Sequence, residues 1–360
     1  MAGLTFVMAG GGTGGHVIPA IAVARELCAR GHRPLFIGTK TGFEAKLVPA
    51  AGFEIEWIEI GGLKNVGFGQ TLRTLTQMPV SLARVRRLLG RLKPAAVFSM
   101  GGFAAGPVVL AAISRGLSVV VMEPNAMPGL TNRQIGRFVF RALVSFPETE
   151  RWFPAGRTEI TGLPVRAEFF RIAPRIRDGK LNVLITGGSR GSRTLNNAAR
   201  EAWALLREAP VRLVHQTGVD AYGEIASDFA ASGVDGEVRA FIEDMPAAFA
   251  EADLVVCRSG AGAVAELAAA AKPSILVPFP FAADDHQRKN AEAMARAGAA
   301  RLVPDKETNG ARLVEEIHAL TERPALLEEM SANARKFAHP DAARRAADVL
   351  EEAARVRQPT

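Results

Sequence analysis

The chain is poor in cysteine and tyrosine, with two cysteines, Cys28 and Cys257, and a single tyrosine among 360 residues. Two such cysteines make neither a disulfide framework nor a metal-binding spacing, so a reducing cytosol is the expected compartment. No apolar run approaches the roughly 18 residues that a membrane span needs. The opening "LTFVMA" is too short, and lacks the charged flank, for a signal peptide. Basic segments interleaved with aromatics, and zinc spacings, are also missing, which argues against a nucleic-acid binder. Acidic residues are absent altogether between Glu59 and Glu123, a stretch that holds Lys64, Arg73, Arg84, Arg86, Arg87, Arg91, Lys93 and Arg115. With a net charge of +7 and a pI of about 9.8, an anionic partner is expected.

What is present is an alternation of short β-rich runs with helical segments, enough chain for two domains. "LTFVMAG" reads as a strand, and "PAIAVARELCARG" as a helix opening at Pro19 and closing at Gly31. "RPLFIGT", "EIEWIEI", "AAVFSMG" and "SVVVME" read as further strands, with "GFEAKLVPAAG" and "TLTQMPVSLARVRRLLGRL" helical between them. The rhythm restarts near residue 181 with "LNVLITGGSRGS" and the helical "TLNNAAREAWALLRE". It continues through "VRLVHQTG", "DLVVCRSG" and "SILVPFP". Such alternation predicts an α/β protein of two Rossmann-like domains, each a parallel sheet covered on both faces. The Pro- and Arg-rich "TGLPVRAEFFRIAPR" is the expected linker. The predicted domains are 1–162 and 163–339, and the closing helix, 340–360, begins after Pro340.

Each unit opens on a strand that runs into a glycine-rich turn. In the first, "GGGTGGH" (Gly10 to His16) would turn backbone N–H groups toward a crevice, and a following helix would add its positive end. The spacing is not a clean dinucleotide fingerprint. No acidic ribose ligand follows the second strand about 20 residues on, which argues against a dinucleotide-binding oxidoreductase, and no P-loop pattern is present. In the second unit, "ITGGSRGS" places Gly187, Gly188 and Ser189 between a strand and a helix, a good diphosphate site. A ligand is expected in a cleft between the domains, at the carboxyl ends of both sheets.

Seven segments occur in a telling order: "GGTGGHVIPAIAVA", "GGFAAGPVVLAA", "EPNAMPGLTNR", "TGLPVR", "ITGGSRGSRTLN", "CRSGAGAVAELAA" and "VPFPFAADDHQRKNA". Together they resemble the MurG family of peptidoglycan glycosyltransferases. The resemblance implies the glycosyltransferase B architecture, with the last helix returning to the N-terminal domain. It implies inverting transfer of N-acetylglucosamine from UDP-N-acetylglucosamine to the 4-hydroxyl of an undecaprenyl-linked muramyl-pentapeptide, without cofactor or metal, at the cytoplasmic face of the bacterial inner membrane. Such chemistry needs a base for the hydroxyl proton and a counter-charge for the departing diphosphate.

By the same resemblance, Thr13, Gly14 and Gly15 form a loop facing the donor, and His16 is the general base. An imidazole, with an ordinary pKa of about 6.5, suits that task. The alternative for His16 is to cap the helix or orient the loop, and Glu123 is the rival base. Asn125 matches a donor-sugar contact, and Arg166 a cation near the nucleotide or else a linker salt bridge. Ser189 matches a hydroxyl on the diphosphate. Ile242 would hold the uracil by its backbone. Ala261, Gly262, Ala263, Val264, Ala265 and Glu266 match the loop and helix start beneath diphosphate and ribose. Glu266 would accept from two ribose hydroxyls. Gln287 matches a sugar-hydroxyl contact. The pair Asp284-Asp285 reads as a helix N-cap rather than a metal site.

The chain departs from the family in two places. Met122-Glu123-Pro124-Asn125 stands where His-Glu-Gln-Asn is common, and Ala263 where threonine is frequent. Phe68, Leu72, Leu75, Met78 and Leu82, set among Arg73, Arg84, Arg86 and Arg87, suit an anionic bilayer surface from which a polyprenyl acceptor is drawn. The alternative enzyme of the same fold and donor is a UDP-N-acetylglucosamine 2-epimerase, for which such a face has no use.

Overall fold

Apolar, β-branched and aromatic residues closed by glycine make up most of Thr5–Gly10, which forms β1, an interior strand of the first sheet. A computed structural model describes residues 3–12, 14–60, 68–102, 104–177 and 179–356, and the backbone alone over 68–78. Thr13 and Lys64 lie outside the described residues, as do the side chains of Phe68, Leu72, Arg73, Leu75 and Met78.

The chain divides into two compact units, residues 1–164 with 341–360, and 165–340. In the first, β1 is followed by α1 (Gly14–Ala29), β2 (Arg33–Gly38), α2 (Glu44–Ala50) and β3 (Ile55–Trp57). Then come α3 (Phe68–Leu92), β4 (Ala96–Gly101), α4 (Ala105–Ser114), β5 (Val119–Glu123), α5 (Leu130–Ile135), β6 (Arg141–Val144) and β7 (Thr158–Ile160). The sheet is parallel throughout, in the order β3-β2-β1-β4-β5-β6-β7.

The second unit begins with α6 (Ala167–Phe170), β8 (Leu181–Thr186), α7 (Arg193–Leu206), β9 (Val211–Gln216), α8 (Tyr222–Ser232) and β10 (Gly236–Arg239). It continues through α9 (Met245–Glu251), β11 (Leu254–Cys257), α10 (Ala261–Ala269), β12 (Ser274–Leu276), α11 (His286–Arg296), β13 (Ala300–Leu302), α12 (Gly310–Thr321) and α13 (Pro324–Arg335). Its sheet, β10-β9-β8-β11-β12-β13, repeats the order of the first six strands of the other. Each strand order reverses beside its first strand, between β1 and β4 and between β8 and β11. The carboxyl ends at that reversal are where doubly wound folds bind ligand.

Burial on both faces explains the near-continuous apolar runs of the central strands. Phe6, Val7, Met8 and Ala9 of β1 are fully buried, as are Leu254, Val255 and Val256 of β11. The last helix, α14 (Ala342–Arg355), lies within the first unit against α1, β4 and β5, burying Ala346, Val349, Leu350 and Ala353. Polar contacts fix its register. The Arg345 guanidinium grips Glu159 through two bonds of 2.5 and 2.9 Å, and Arg30 reaches Asp348 at 2.6 Å.

Helix α1 begins at Gly14, five residues before the expected Pro19. Proline lacks an N–H, but here that removes only one helical rung, the bond to the Gly15 carbonyl, so the helix runs through it. Consequently Gly14, Gly15 and His16 form the helix's first turn rather than the loop before it. On α3, Arg84, Arg86 and Arg87 are exposed, whereas Leu82 packs against the core beside Leu88 and Leu89. Leu82 is therefore half-buried and packs inward, unlike the exposed arginines beside it. Among the described residues no helix is long and apolar enough to cross a membrane.

Candidate functional site

In the first unit the glycine loop is shaped by a carboxylate that the sequence did not single out. Glu44, the first residue of α2, is fully buried. Its Oε2 accepts the Gly12 N–H at 2.9 Å, and its Oε1 accepts the Thr39 N–H at 2.9 Å and the Thr39 hydroxyl at 2.7 Å. A Cβ at Gly11 would sit 2.4 Å from Glu44 Oε1, and one at Gly42 only 2.0 Å from Oε2. These two glycines make room for an internal acid. Gly12, at φ +88°, turns its N–H inward to meet it rather than outward to a phosphate.

His16 is half-buried on the first turn of α1, its Nδ1 lying 3.3 Å from the Gly11 carbonyl oxygen. Gly102 follows β4 at φ +83°, and a Cβ there would come within 3.3 Å of His16 Nδ1. Only glycine fits comfortably at that approach.

Glu123, the expected rival base, ends β5 with 2% of its surface exposed. Oε1 accepts the Asn125 N–H and side-chain Nδ2, both at 3.1 Å, and Oε2 accepts the Gly129 N–H at 3.0 Å and Asn132 Nδ2 at 2.9 Å. Burial pushes its pKa up, against the pull of these hydrogen bonds. These four bonds tie the Glu123 carboxylate to the 124–132 loop. Asn125, expected at the donor sugar, gives one of its two side-chain amide hydrogens to that carboxylate.

In the second unit two helix starts converge. Exposed Ser189 follows Gly187 and Gly188, the latter at φ +83° with its N–H on Thr186 Oγ1 at 3.1 Å. Ser192 caps α7 by accepting the Leu195 N–H at 3.3 Å. Arg258, just past β11, donates to that same Ser192 hydroxyl at 2.7 Å and to Asp305 at 2.5 Å. Two residues beyond it, Gly260 opens α10, whose first turn carries Ala261, Gly262 and Ala263. Arg258 thereby ties the loops before α7 and α10 together, and both helix dipoles serve one region. Val264 is buried, so its side chain faces the core, while Ala265 and Glu266 are half-buried.

Burial pushes the Glu266 carboxyl up to about 7, and the Arg166 charge opposes that rise. Arg166 itself is exposed, its guanidinium 5.1 Å from the Phe169 ring centre. Ile242 has its backbone N–H bound by Gln216 Oε1 at 2.8 Å, so the backbone contact expected of it falls to its carbonyl. Gln216 Nε2 also donates to Thr186 Oγ1 at 3.1 Å and to the Gly188 carbonyl at 2.9 Å, joining the backbone at Ile242 to the glycine loop. The Oε1 of Gln287 accepts the Phe279 N–H at 3.0 Å. Asp285 occupies the cap position of α11 but makes no capping bond. Both it and Asp284 sit at φ +54°, in the left-handed region and not the extended backbone that an N-cap adopts.

Residues 6–144 match the glycosyltransferase family 28 N-terminal domain, and residues 182–346 the family 28 C-terminal domain. The UDP-N-acetylglucosamine--N-acetylmuramyl-(pentapeptide) pyrophosphoryl-undecaprenol N-acetylglucosamine transferase of Solibacter usitatus is 61% identical over 353 residues, 98% of this chain and 96% of that protein. The enzyme of the same name from Azotobacter vinelandii is 43% identical over 98% of this chain and 99% of its own length. Among solved structures, Acinetobacter baumannii MurG superposes with a TM-score of 0.84 at 33% identity, covering 97% of this chain and 99% of that one. A UDP-GlcNAc 2-epimerase from Neisseria meningitidis reaches 0.66 at 15% identity over 98% of this chain and 100% of that one, a likeness of fold alone.

Proposed function

The chain belongs to glycosyltransferase family 28, and from that premise we propose that it moves N-acetylglucosamine from UDP-N-acetylglucosamine to the 4-hydroxyl of an undecaprenyl-pyrophosphoryl-N-acetylmuramyl-pentapeptide. The observation that carries the donor assignment is the convergence of α7 and α10 through the bond of 2.7 Å between Arg258 and Ser192, with half-buried Glu266 on the second helix. A nucleoside diphosphate meets that arrangement group by group. Two helix N-termini and the Ser189 hydroxyl take the diphosphate, Glu266 takes the ribose hydroxyls, and the Ile242 carbonyl takes the uracil N3–H. Arg166 adds positive charge at the nucleotide, and Gln287 serves the sugar.

Transfer runs with inversion. The acceptor 4-hydroxyl oxygen attacks the anomeric carbon on the face opposite UDP, the bond from that carbon to the diphosphate oxygen breaks, and UDP leaves with the electron pair. His16 takes the hydroxyl proton, and Gly14 and Gly15 keep the first turn of α1 open around it. The counter-charge on the leaving group comes from helix dipoles and N–H groups, so the reaction is independent of metal. Purified protein incubated with UDP-N-acetylglucosamine and a short-chain lipid-linked muramyl acceptor is expected to release UDP and extend the lipid, with chelator present. Release of N-acetylmannosamine without acceptor would instead assign a 2-epimerase.

The acceptor resides in a membrane, and we place the docking face on α3 and the neighbouring α4. Arg84, Arg86 and Arg87 are exposed there, with Val80 70% and Leu110 43% exposed beside them. Cations around isolated apolar side chains suit the anionic cytoplasmic leaflet. In flotation assays the protein should rise with vesicles containing anionic lipid at low salt and stay behind near 0.5 M salt, where the screening length falls to about 4 Å. Retention in the supernatant at low salt would remove the docking face.

A further inference from the structure

Glu44 and His16 both contact the same peptide group. The bond joining Gly11 to Gly12 presents its N–H to Glu44 Oε2 at 2.9 Å and its carbonyl oxygen to His16 Nδ1 at 3.3 Å. A carbonyl oxygen only accepts, so this contact is a hydrogen bond when Nδ1 carries the proton. We propose that Glu44 is a positioning residue for the transfer reaction: through the Gly11–Gly12 peptide it holds His16 as the Nδ1–H tautomer, which leaves Nε2 as the proton acceptor. The inference rests on the assignment of His16 as general base.

The physics follows from conjugation. A peptide unit shares its electrons between nitrogen and carbonyl oxygen. A carboxylate bound to the N–H draws negative charge onto the oxygen and strengthens whatever bond that oxygen accepts. Glu44 is fully buried, so its charge acts through a medium of low polarity. Its other oxygen is saturated by the N–H and hydroxyl of Thr39, which leaves Oε2 aimed at Gly12. The arrangement does the work of the carboxylate in a catalytic triad, with one peptide inserted between acid and imidazole. It also accounts for the glycines. Gly11 and Gly42 admit the acid, Gly12 at φ +88° turns the peptide plane, and Gly102 clears the space above the Gly11 oxygen, 3.0 Å from where its Cβ would lie.

Two measurements on the full chain test this. In protein labelled with ¹⁵N at histidine, two-bond ¹H–¹⁵N correlation above neutral pH should show the His16 ring, identified by its loss in His16→Gln, protonated at Nδ1. In Glu44→Gln the amide either turns its NH2 toward the Gly12 N–H or keeps its oxygen there without the charge that polarises the peptide, so the Nε2–H form should appear. There kcat should fall about tenfold to hundredfold, less than where a carboxylate binds the imidazole directly. The donor KM should stay within about twofold. Thr39→Val, which loses one bond on the far side of the carboxylate while the charge remains, should lower stability and reduce kcat by less than Glu44→Gln does. A ring protonated at Nε2 in the wild type overturns the proposal without any variant, even if Glu44→Gln does not fold. So does a folded Glu44→Gln with undiminished kcat. Absence of turnover in the wild type would defeat the transferase assignment itself, a separate result.

Discussion

Replacing His16 with alanine should lower kcat by about 10² to 10⁴, the range that a positioned general base contributes, while UDP still binds with wild-type affinity. The two effects separate because His16 lies in the first compact unit and the proposed nucleotide contacts in the second. The hydroxyl proton must go somewhere as the new glycosidic bond forms. Without an acceptor at that oxygen it passes to water, and the barrier rises by about 3 to 5 kcal/mol. Of the two candidates, Glu123 is 2% exposed with four donors on its carboxylate, whereas His16 is half-buried at the mouth of the first strand-order reversal. Calorimetry with UDP, alongside single-turnover transfer, would separate binding from chemistry. Retained transfer in His16→Ala would exclude that residue, and Glu123→Gln would then be the next variant to measure.

The two-unit architecture is legible in the sequence because periodicity is a local property. Strand, glycine turn and helix follow one another at residue 5 and again at residue 181, and each repetition folds into a sheet of the same strand order. Short edge strands such as Thr158–Ile160 escape, since three residues carry no period. The partners of the site are harder to read for a different reason. Glu44 lies 32 residues from Gly12, and Gln216 lies 26 from Ile242. Nothing in their local sequence says that a tertiary hydrogen bond awaits them. "GFEAK" resembles the start of any amphipathic helix, and only the packed loop shows that Glu44 points inward. The glycines around it are visible in the sequence, but that Gly11 and Gly42 admit an internal acid is not. Asp285 illustrates the converse. Its place before a helix predicts a cap, yet a left-handed backbone denies it the geometry.

Lowering the pH from about 8 to 6 should weaken binding of UDP-N-acetylglucosamine severalfold to tenfold, and Glu266→Gln should bind it weakly at every pH in that range. Burial holds the Glu266 carboxyl near 7, above its ordinary value of 4.5. The donor-free protein therefore keeps a proton on this group through the acidic half of the range, and the group's contribution to folding stability is full below 4.5 and lost as pH rises through about 7. Ribose hydroxyls require the opposite form. A carboxylate accepts from both, while the neutral acid spends an oxygen on its own proton. Donor binding must then expel that proton, which costs affinity by about tenfold for each pH unit below the pKa until the protonated form's weaker binding takes over. The donor itself does not confuse the test, because its diphosphate is esterified at both ends and has no oxygen titrating near neutrality. Arg166 lowers the Glu266 pKa, so Arg166→Ala should move the midpoint of the acid limb to higher pH as well as weakening binding overall. Calorimetry in buffers of different ionisation enthalpy would count the protons released at about pH 6.5, about three-quarters of a proton per donor bound if Glu266 is the only group involved. A donor affinity that is flat from pH 6 to 8, or a Glu266→Gln variant that binds as tightly as wild type, would remove this carboxylate from the ribose site.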